Sequence, residues 1–363
     1  MNKSSSDNGS CSCGSSVQQQ DAVPCSCAMT PAQIPELLTT ASTLSLADRL
    51  DHFLARWGVN RMGHLVKPGL YRLGDPTPDS PVFVSANYTL SFDALRSALS
   101  GTDAFILVLD TRGINVWCAA GKGTFGTLEL INRINRTGLP TLVAHRTLIV
   151  PQLGAPGIAA HEVKKATGFK VHYGPIRAED LPEFLDRGME VTPAMRRARF
   201  NLRDRLVLIP VEVVQAWKPT LIICLLIVVV CAFAVRDFRF FSLLPVGLPP
   251  TVLYLVALLA GSVVTPILLP WIPGRAFSLK GAQVGLLSAI LAALVMGSTW
   301  KVADLVALLF VVPAITAYFA LNFTGCTTFT SLSGVEKEMR IALPVIILAF
   351  VVGVVVWTVG LLT

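Results

Sequence analysis

The sequence predicts an α/β domain of Rossmann-like type followed by an all-α transmembrane domain of about five helices. Between Pro81 and Tyr173, short apolar runs alternate with segments of helical spacing, the order that βαβ units produce. After Pro219 the chain changes to long apolar runs separated by short polar links. Of 363 residues, 53% are hydrophobic and 15% are charged, and the apolar excess lies almost entirely in this second half. A membrane protein with a soluble half has that composition.

Residues 1–43 form a Cys/Ser-rich tail with little to bury, so disorder is expected there. Residues 44–57 carry apolar side chains at helical spacing and read as an amphipathic helix that opens the soluble domain, residues 44–212. Val82–Ser85 reads as a strand, Ser91 as the cap of a helix reaching Leu99, and Ala104–Leu109, apolar throughout, as a strand covered on both faces. A helix at Thr127–Arg136, strands at Thr141–Ala144 and Thr147–Val150, a helix from Gly157 to Ala166, a strand at Phe169–Tyr173 and a helix from Asp180 to Arg187 follow. No internal repeat is visible.

The transmembrane domain, residues 213–363, contains apolar runs at 219–235, 248–269, 281–298, 303–321 and 342–361. Each spans about 30 Å of hydrocarbon at 1.5 Å per residue. Ionisable side chains are nearly absent from them, Asp304 at the edge of the fourth being the nearest, which disfavours a transport pathway. Pro249, Pro250, Pro266, Pro313 and Pro344 are expected mainly near span ends, and Gly281 and Gly285 have the spacing of a close helix contact. Anchoring and partner docking is the expected role.

Residues 1–30 lack the apolar stretch of a signal peptide. Arg196, Arg197, Arg199, Arg203, Arg205 and Lys218 precede the first run, so the positive-inside rule predicts a multi-pass protein of the inner membrane with its soluble domain in the cytoplasm and Thr363 on the far side. Arg236 and Arg239 fall outside and run against that bias. The formal charge of +7 sits beside the membrane without interleaved aromatic residues, which fits anionic lipid and not nucleic acid. Of eight cysteines, Cys224, Cys231 and Cys326 read as small hydrophobes.

The segment Asn115-Val116-Trp117-Cys118-Ala119-Ala120-Gly121-Lys122 carries the chemistry. It follows the end of the Ala104–Leu109 strand through Asp110–Gly113, and open α/β sheets bind ligands beyond the carboxyl ends of their strands. Gly113 permits a sharp turn, Asn115 is a good N-cap and Gly121 a good stop, which together predict a short helix. Two readings remain open on spacing alone. Trp117 or Cys118 is presented beside Ala119 and Ala120 to a flat, bulky group, or Cys118 is a buried apolar residue and Trp117 a core anchor.

The eight residues from Asn115 to Lys122 resemble the cap-helix motif of the HgcA family, the membrane-anchored corrinoid proteins of mercury methylation. Pro68-Gly69-Leu70-Tyr71, Ser85-Ala86-Asn87-Tyr88 and Gly174-Pro175-Ile176-Arg177 are similar to the wider corrinoid iron–sulfur protein family, and the resemblance covers residues 60–363. It implies that the α/β domain binds cobalamin in its base-off form, with the Cys118 sulfur as lower axial ligand to cobalt and Gly113, Asn115, Val116, Trp117, Ala119, Ala120, Gly121 and Lys122 shaping the cofactor site. It further implies a corrinoid-dependent methyltransferase that passes a methyl group from methylcob(III)alamin to Hg(II). The implied methyl donor is a methyltetrahydrofolate-linked system, and the implied electron donor is a ferredoxin with two 4Fe–4S clusters, similar to HgcB.

Elementary chemistry agrees with a sulfur ligand. A thiolate is soft and strongly donating, and axial ligand identity tunes a cofactor metal. The Asp-x-His-x-x-Gly pattern that supplies a histidine ligand does not occur, and His52, His64, His145, His161 and His172 lie in other contexts. A C-x₂-C-x₂-C run is also absent, so no intrinsic iron–sulfur cluster is expected. Cys11-Ser12-Cys13 and Cys25-Ser26-Cys27 are thiol pairs suited to Hg(II) or another soft metal, or residues of a tail without a specific role. The alternatives to mercury methylation are a corrinoid methyl carrier of one-carbon metabolism with a different acceptor, and a non-enzymatic membrane scaffold or transporter.

Overall fold

A computed structural model describes residues 36–60, 62–235, 239–296, 300–325 and 332–363. Cys11, Cys13, Cys25, Cys27, Arg236 and Cys326 lie outside the described residues.

Among the described residues, the α/β half has six strands: β1 (Leu37–Thr40), β2 (Gly69–Leu73), β3 (Val82–Ala86), β4 (Ala104–Leu109), β5 (Thr147–Val150) and β6 (Lys170–Tyr173). They lie in the order β1-β2-β4-β3-β5-β6. The expected parallel sheet is present from β4 to β6, and β2 adds an antiparallel pairing with β4 while running parallel to β1. β1 falls inside the segment expected to be tail, and β2 within a stretch with no strand expected. All six residues of β4 are buried, as a continuously apolar run requires. Phe105, Leu107 and Leu109 enter the core on one face, and Ala104, Ile106 and Val108 the core on the other.

The helices of this half are α1 (Leu46–Arg56), α2 (Thr89–Ala98), α3 (Val116–Lys122), α4 (Thr127–Arg136), α5 (Leu139–Leu142), α6 (Ala160–Thr167) and α7 (Leu181–Asp186). The helix expected to be capped by Ser91 is capped three residues earlier, by Tyr88, and begins at Thr89. Of residues Thr141–Ala144, expected to be a strand, Thr141 and Leu142 instead lie within α5: Gly138 takes a φ of 61°, and Pro140 occupies the first turn of α5, where its missing N–H costs nothing. The expected helix from Gly157 is split into a 3₁₀ turn over Gln152–Gly157 and α6.

The second half contains α8 (Leu202–Leu206), α9 (Ile209–Val235), α10 (Phe240–Leu259), α11 (Thr265–Leu268), α12 (Phe277–Met296), α13 (Val302–Thr324) and α14 (Leu332–Leu362), with a π-helical segment over Ala260–Val264. Among the described residues, five helical stretches are long and apolar enough to cross a membrane: Leu202–Val235, Phe241–Leu268, Phe277–Met296, Val302–Thr324 and Ser333–Leu362. The Gly281/Gly285 contact is present. A methyl group at Gly285 would lie 2.6 Å from Pro313 Cα, so α12 and α13 approach closely only because those positions are glycine.

Of the prolines expected near span ends, Pro266 does lie there, in the first turn of α11 close to the end of the second stretch, but the others do not. Pro245, Pro249 and Pro250 sit inside α10, Pro313 inside α13 and Pro344 inside α14, where neighbouring helices make such interruptions tolerable. Charged groups also reach further into the helical region than the apolar runs suggest. Arg205 is buried and donates to the carbonyls of Pro266 and Ile267 at 2.9 and 2.7 Å, and Lys280 donates to Leu269 at 2.6 Å, so two cations satisfy the end of the second stretch.

Candidate cofactor site

Chain travel reverses at β3, which has β4 on one side and β5 on the other. Ligands of open α/β sheets bind at such a switch point, and a cavity of about 270 Å³ opens there. Val84 and Ser85 of β3, Ile149 of β5, Pro151, and Gly174, Pro175 and Arg177 beyond β6 line it, together with Asn115, Val116 and Trp117 of the α3 segment.

The turn into α3 is built around Asn87. Asn87, buried just after β3, accepts through its Oδ1 from the backbone N–H of Thr111 at 3.0 Å, the Thr111 hydroxyl at 2.9 Å and the backbone N–H of Gly113 at 3.1 Å. Its amide donates to Asp110 at 3.3 Å. Arg112 and Gly113 take φ values of 57° and 71°, and a carboxylate oxygen of Asp110 accepts from the Arg112 N–H at 3.0 Å. Glu129 accepts from the Asp110 N–H at 2.9 Å and is itself paired with Arg133. The turn is thus specified by Asn87 after β3, Asp110 and Thr111 within the turn itself, and Glu129 on α4.

Asn115 caps α3 as expected, its Oδ1 accepting from the Cys118 N–H at 2.9 Å. Gly121 does not end the helix. It lies exposed inside α3, and Gly123, with φ 80°, closes it two residues later. Ala119 and Ala120 are buried, not presented to a ligand. Their small size serves packing: a methyl group at Gly157 would lie 3.1 Å from Ala120 Cα, so α3 rests directly on the 3₁₀ turn.

Trp117 and Cys118 are both half-buried, which excludes the reading of Cys118 as a fully buried core residue. Trp117 lines the cavity, whereas Cys118, one position further round the helix, does not, and Gly121 and Lys122 are exposed away from it. Cys118 is a thiol and not half of a disulfide.

Four of the five histidines are engaged elsewhere, and His161 is exposed in the first turn of α6. His145 engages the Ser80 carbonyl at 2.8 Å and the Thr147 N–H at 3.2 Å, using both ring nitrogens at the amino end of β5, the edge of the sheet opposite α3. His52 pairs with Asp93, His64 with Asp51, and His172 with the Met189 carbonyl. No histidine lines the cavity. Arg177, not singled out from the residues beyond its motif, contributes a cation to the cavity wall and lies 3.4 Å from Glu179 and 3.7 Å from Asp204.

Residues 60–185 match the family described as CO dehydrogenase/acetyl-CoA synthase delta subunit. The chain is 36% identical over 124 residues to the acetyl-CoA decarbonylase/synthase complex subunit gamma of Methanopyrus kandleri, covering 34% of this chain and 26% of that one. Residues 60–185 are related to the corrinoid iron–sulfur protein family. The gamma subunits of Methanothermobacter thermautotrophicus and Archaeoglobus fulgidus are each 33% identical, over 129 and 124 residues, covering 35% and 34% of this chain and 28% and 26% of theirs. The chain therefore spans about a quarter of the length of these members of the corrinoid iron–sulfur protein family. The matched region runs from β2 to α7 and includes the cavity, Asn87 and α3, while the five membrane-length helices lie beyond it.

The donor set fits a corrinoid. Cys118, half-buried on α3, follows the cavity-lining Trp117 without lining the cavity itself, and the turn leading into its helix is fixed by Asn87. The cavity volume is at the lower end of small-molecule pockets, about 300–1,000 Å³, and suits an appended arm of the cofactor.

Proposed function

We propose that this protein is a membrane-anchored, corrinoid-dependent methyltransferase with Hg(II) as its acceptor. The observation that carries the reading is the Asn115–Lys122 segment standing as a capped helix over the switch point, with the Cys118 thiol half-exposed. A bound corrinoid would supply a cobalt centre able to carry a methyl group, and a sulfur donor such as Cys118 would favour its release toward a soft acceptor.

The chain's own residues have separable tasks. Cys118 provides the sulfur, which must be deprotonated to act as a metal ligand. Asn115 holds the first turn of α3 around that residue, and Asn87 fixes where the helix begins. Trp117 and Val116 close one wall of the cavity, and Arg177 offers a cation to an anionic arm of the cofactor. Gly113, Ala119, Ala120, Gly121 and Lys122 shape the helix and do not contact the cavity.

Electrons come from a separate protein, for which a ferredoxin with two 4Fe–4S clusters is the proposed donor, and the methyl group from a methyltetrahydrofolate-linked system. The basic residues before α9 favour a cytoplasmic position for the α/β half. The N-terminal cysteine pairs would collect Hg(II).

The gamma and delta subunit names of the relatives favour a second reading, a methyl carrier of one-carbon metabolism. Anaerobic loading of the full chain with methylated cobalamin, followed by addition of thiol-bound Hg(II), separates the two. Stoichiometric methylmercury is expected, and a loaded protein that keeps its methyl group in the presence of Hg(II) supports the carrier instead.

A further inference from the structure

Helix α1 is folded with its polar face inward. Asp48 accepts from the buried guanidinium of Arg96 at 2.8 Å, His52 meets the buried carboxylate of Asp93 at 2.7 Å, and Asp51 meets the buried ring of His64 at 2.7 Å. These contacts fasten the charged side of the helix to the α/β domain. On the opposite side Leu46, Leu50, Phe53 and Trp57 are between 42 and 85% exposed. Their spacing of four, three and four residues puts them on one narrow stripe, with Arg49 and Arg56 exposed along one edge. Val59, Met62 and Leu65 extend the apolar surface into the following loop.

The stripe adjoins the first membrane-length helix. Phe53 and Trp57 share a cavity of about 360 Å³ with Val207 and Pro210, and a methyl group at Gly58 would lie 3.6 Å from Val211 Cγ2. Val211 precedes Trp217 by six residues, about 9 Å along α9. Trp217 is exposed with the Lys218 ammonium 5.6 Å from its ring centre, a pairing typical of the membrane–water boundary. The end of α1 is therefore within one helix diameter, about 10–12 Å, of the bilayer surface.

We propose that α1 is an interfacial helix, with Leu46, Leu50, Phe53 and Trp57 in the boundary between headgroups and acyl chains and Arg49 and Arg56 on anionic headgroups. An amphipathic helix with a basic flank and a Trp/Phe/Leu face has the composition that this placement needs. The α/β domain is then held to the membrane at two points, α9 and α1, which fixes its orientation. This inference rests on the membrane-length helices and not on the cofactor.

Photo-crosslinking of the full chain in nanodiscs of phosphatidylcholine and phosphatidylglycerol tests it. Phe53→p-benzoylphenylalanine is compared with the same residue at Leu225, exposed on α9, and at Lys164, exposed on α6. Lipid adducts at 53 and 225 but not at 164, seen by mass spectrometry, are expected. Labelling at 225 with none at 53, or adducts at 53 only to residues 1–35 or to a second copy of the chain, would overturn the proposal.

Discussion

The Oδ1 of Asn87 accepts from the Gly113 N–H at 3.1 Å, tying the residue after β3 to the turn that launches α3. The same oxygen serves Thr111 twice. Removing it leaves buried donors unsatisfied, at about 1–3 kcal/mol per group. Asn87→Ala is predicted to speed amide exchange at Thr111 and Gly113 and to weaken corrinoid retention, with the exchange measured by mass spectrometry on the full chain. Asn87→Asp keeps the acceptor but sets a carboxylate against Asp110, so its defect is expected to ease as the pH falls.

Asn115 is predicted to act through its side-chain oxygen. Asn115→Ala should cost about 1 kcal/mol of α3 stability, while Asn115→Asp or Asn115→Ser retains most of it. Exchange protection of the Cys118 amide, which donates to Asn115, reports the difference.

Gly157 is predicted to be irreplaceable beside α3. The methyl group of Gly157→Ala would collide with the Phe125 carbonyl oxygen and press on Ala120 Cα. Overpacking of this kind costs about 1–3 kcal/mol, read as a lowered unfolding midpoint. A variant as stable as the wild type would show that the 3₁₀ turn does not support the helix.

These positions differ in how far the sequence discloses them. β4 is legible because six apolar residues in a row suit only a strand covered on both faces, and the Asn115 cap because capping is local. Gly121 and Gly123 are equally good stops by sequence, and only packing on the 3₁₀ turn decides that α3 runs through Lys122. β1 has four residues and is specified by its pairing with β2, so its own composition says little. Asn87 acts on residues 24 and 26 positions away, a relationship that no local pattern encodes. The periodicity of α1 gives a face, but whether that face meets the core or the solvent depends on the charges of Arg96, Asp93 and His64 facing it.

The attachment of α1 is predicted to depend on pH. Burial pushes the Asp48 carboxyl up, but hydrogen bonds from Arg96 and Ser45 outweigh it and hold the group below its ordinary value of 3.8. A carboxylate depressed on folding stabilises the native state above its unfolded value, and that contribution is lost as the pH falls through the folded value. Asp48→Asn should therefore lower protection of residues 46–56 at pH 7, by about 1 kcal/mol or less for a partly exposed pair. The difference from wild type should shrink as the pH falls below 3.8 and through the folded-state value.

The central claim is that Cys118 supplies the sulfur to a bound corrinoid. Its most direct test is the visible absorption spectrum of the full chain, reconstituted anaerobically with cobalamin, for wild type and Cys118→Ala. A sulfur-ligated spectrum in the wild type that is lost in a folded Cys118→Ala protein is predicted, together with loss of methyl transfer to Hg(II). Identical spectra in the two proteins would contradict it.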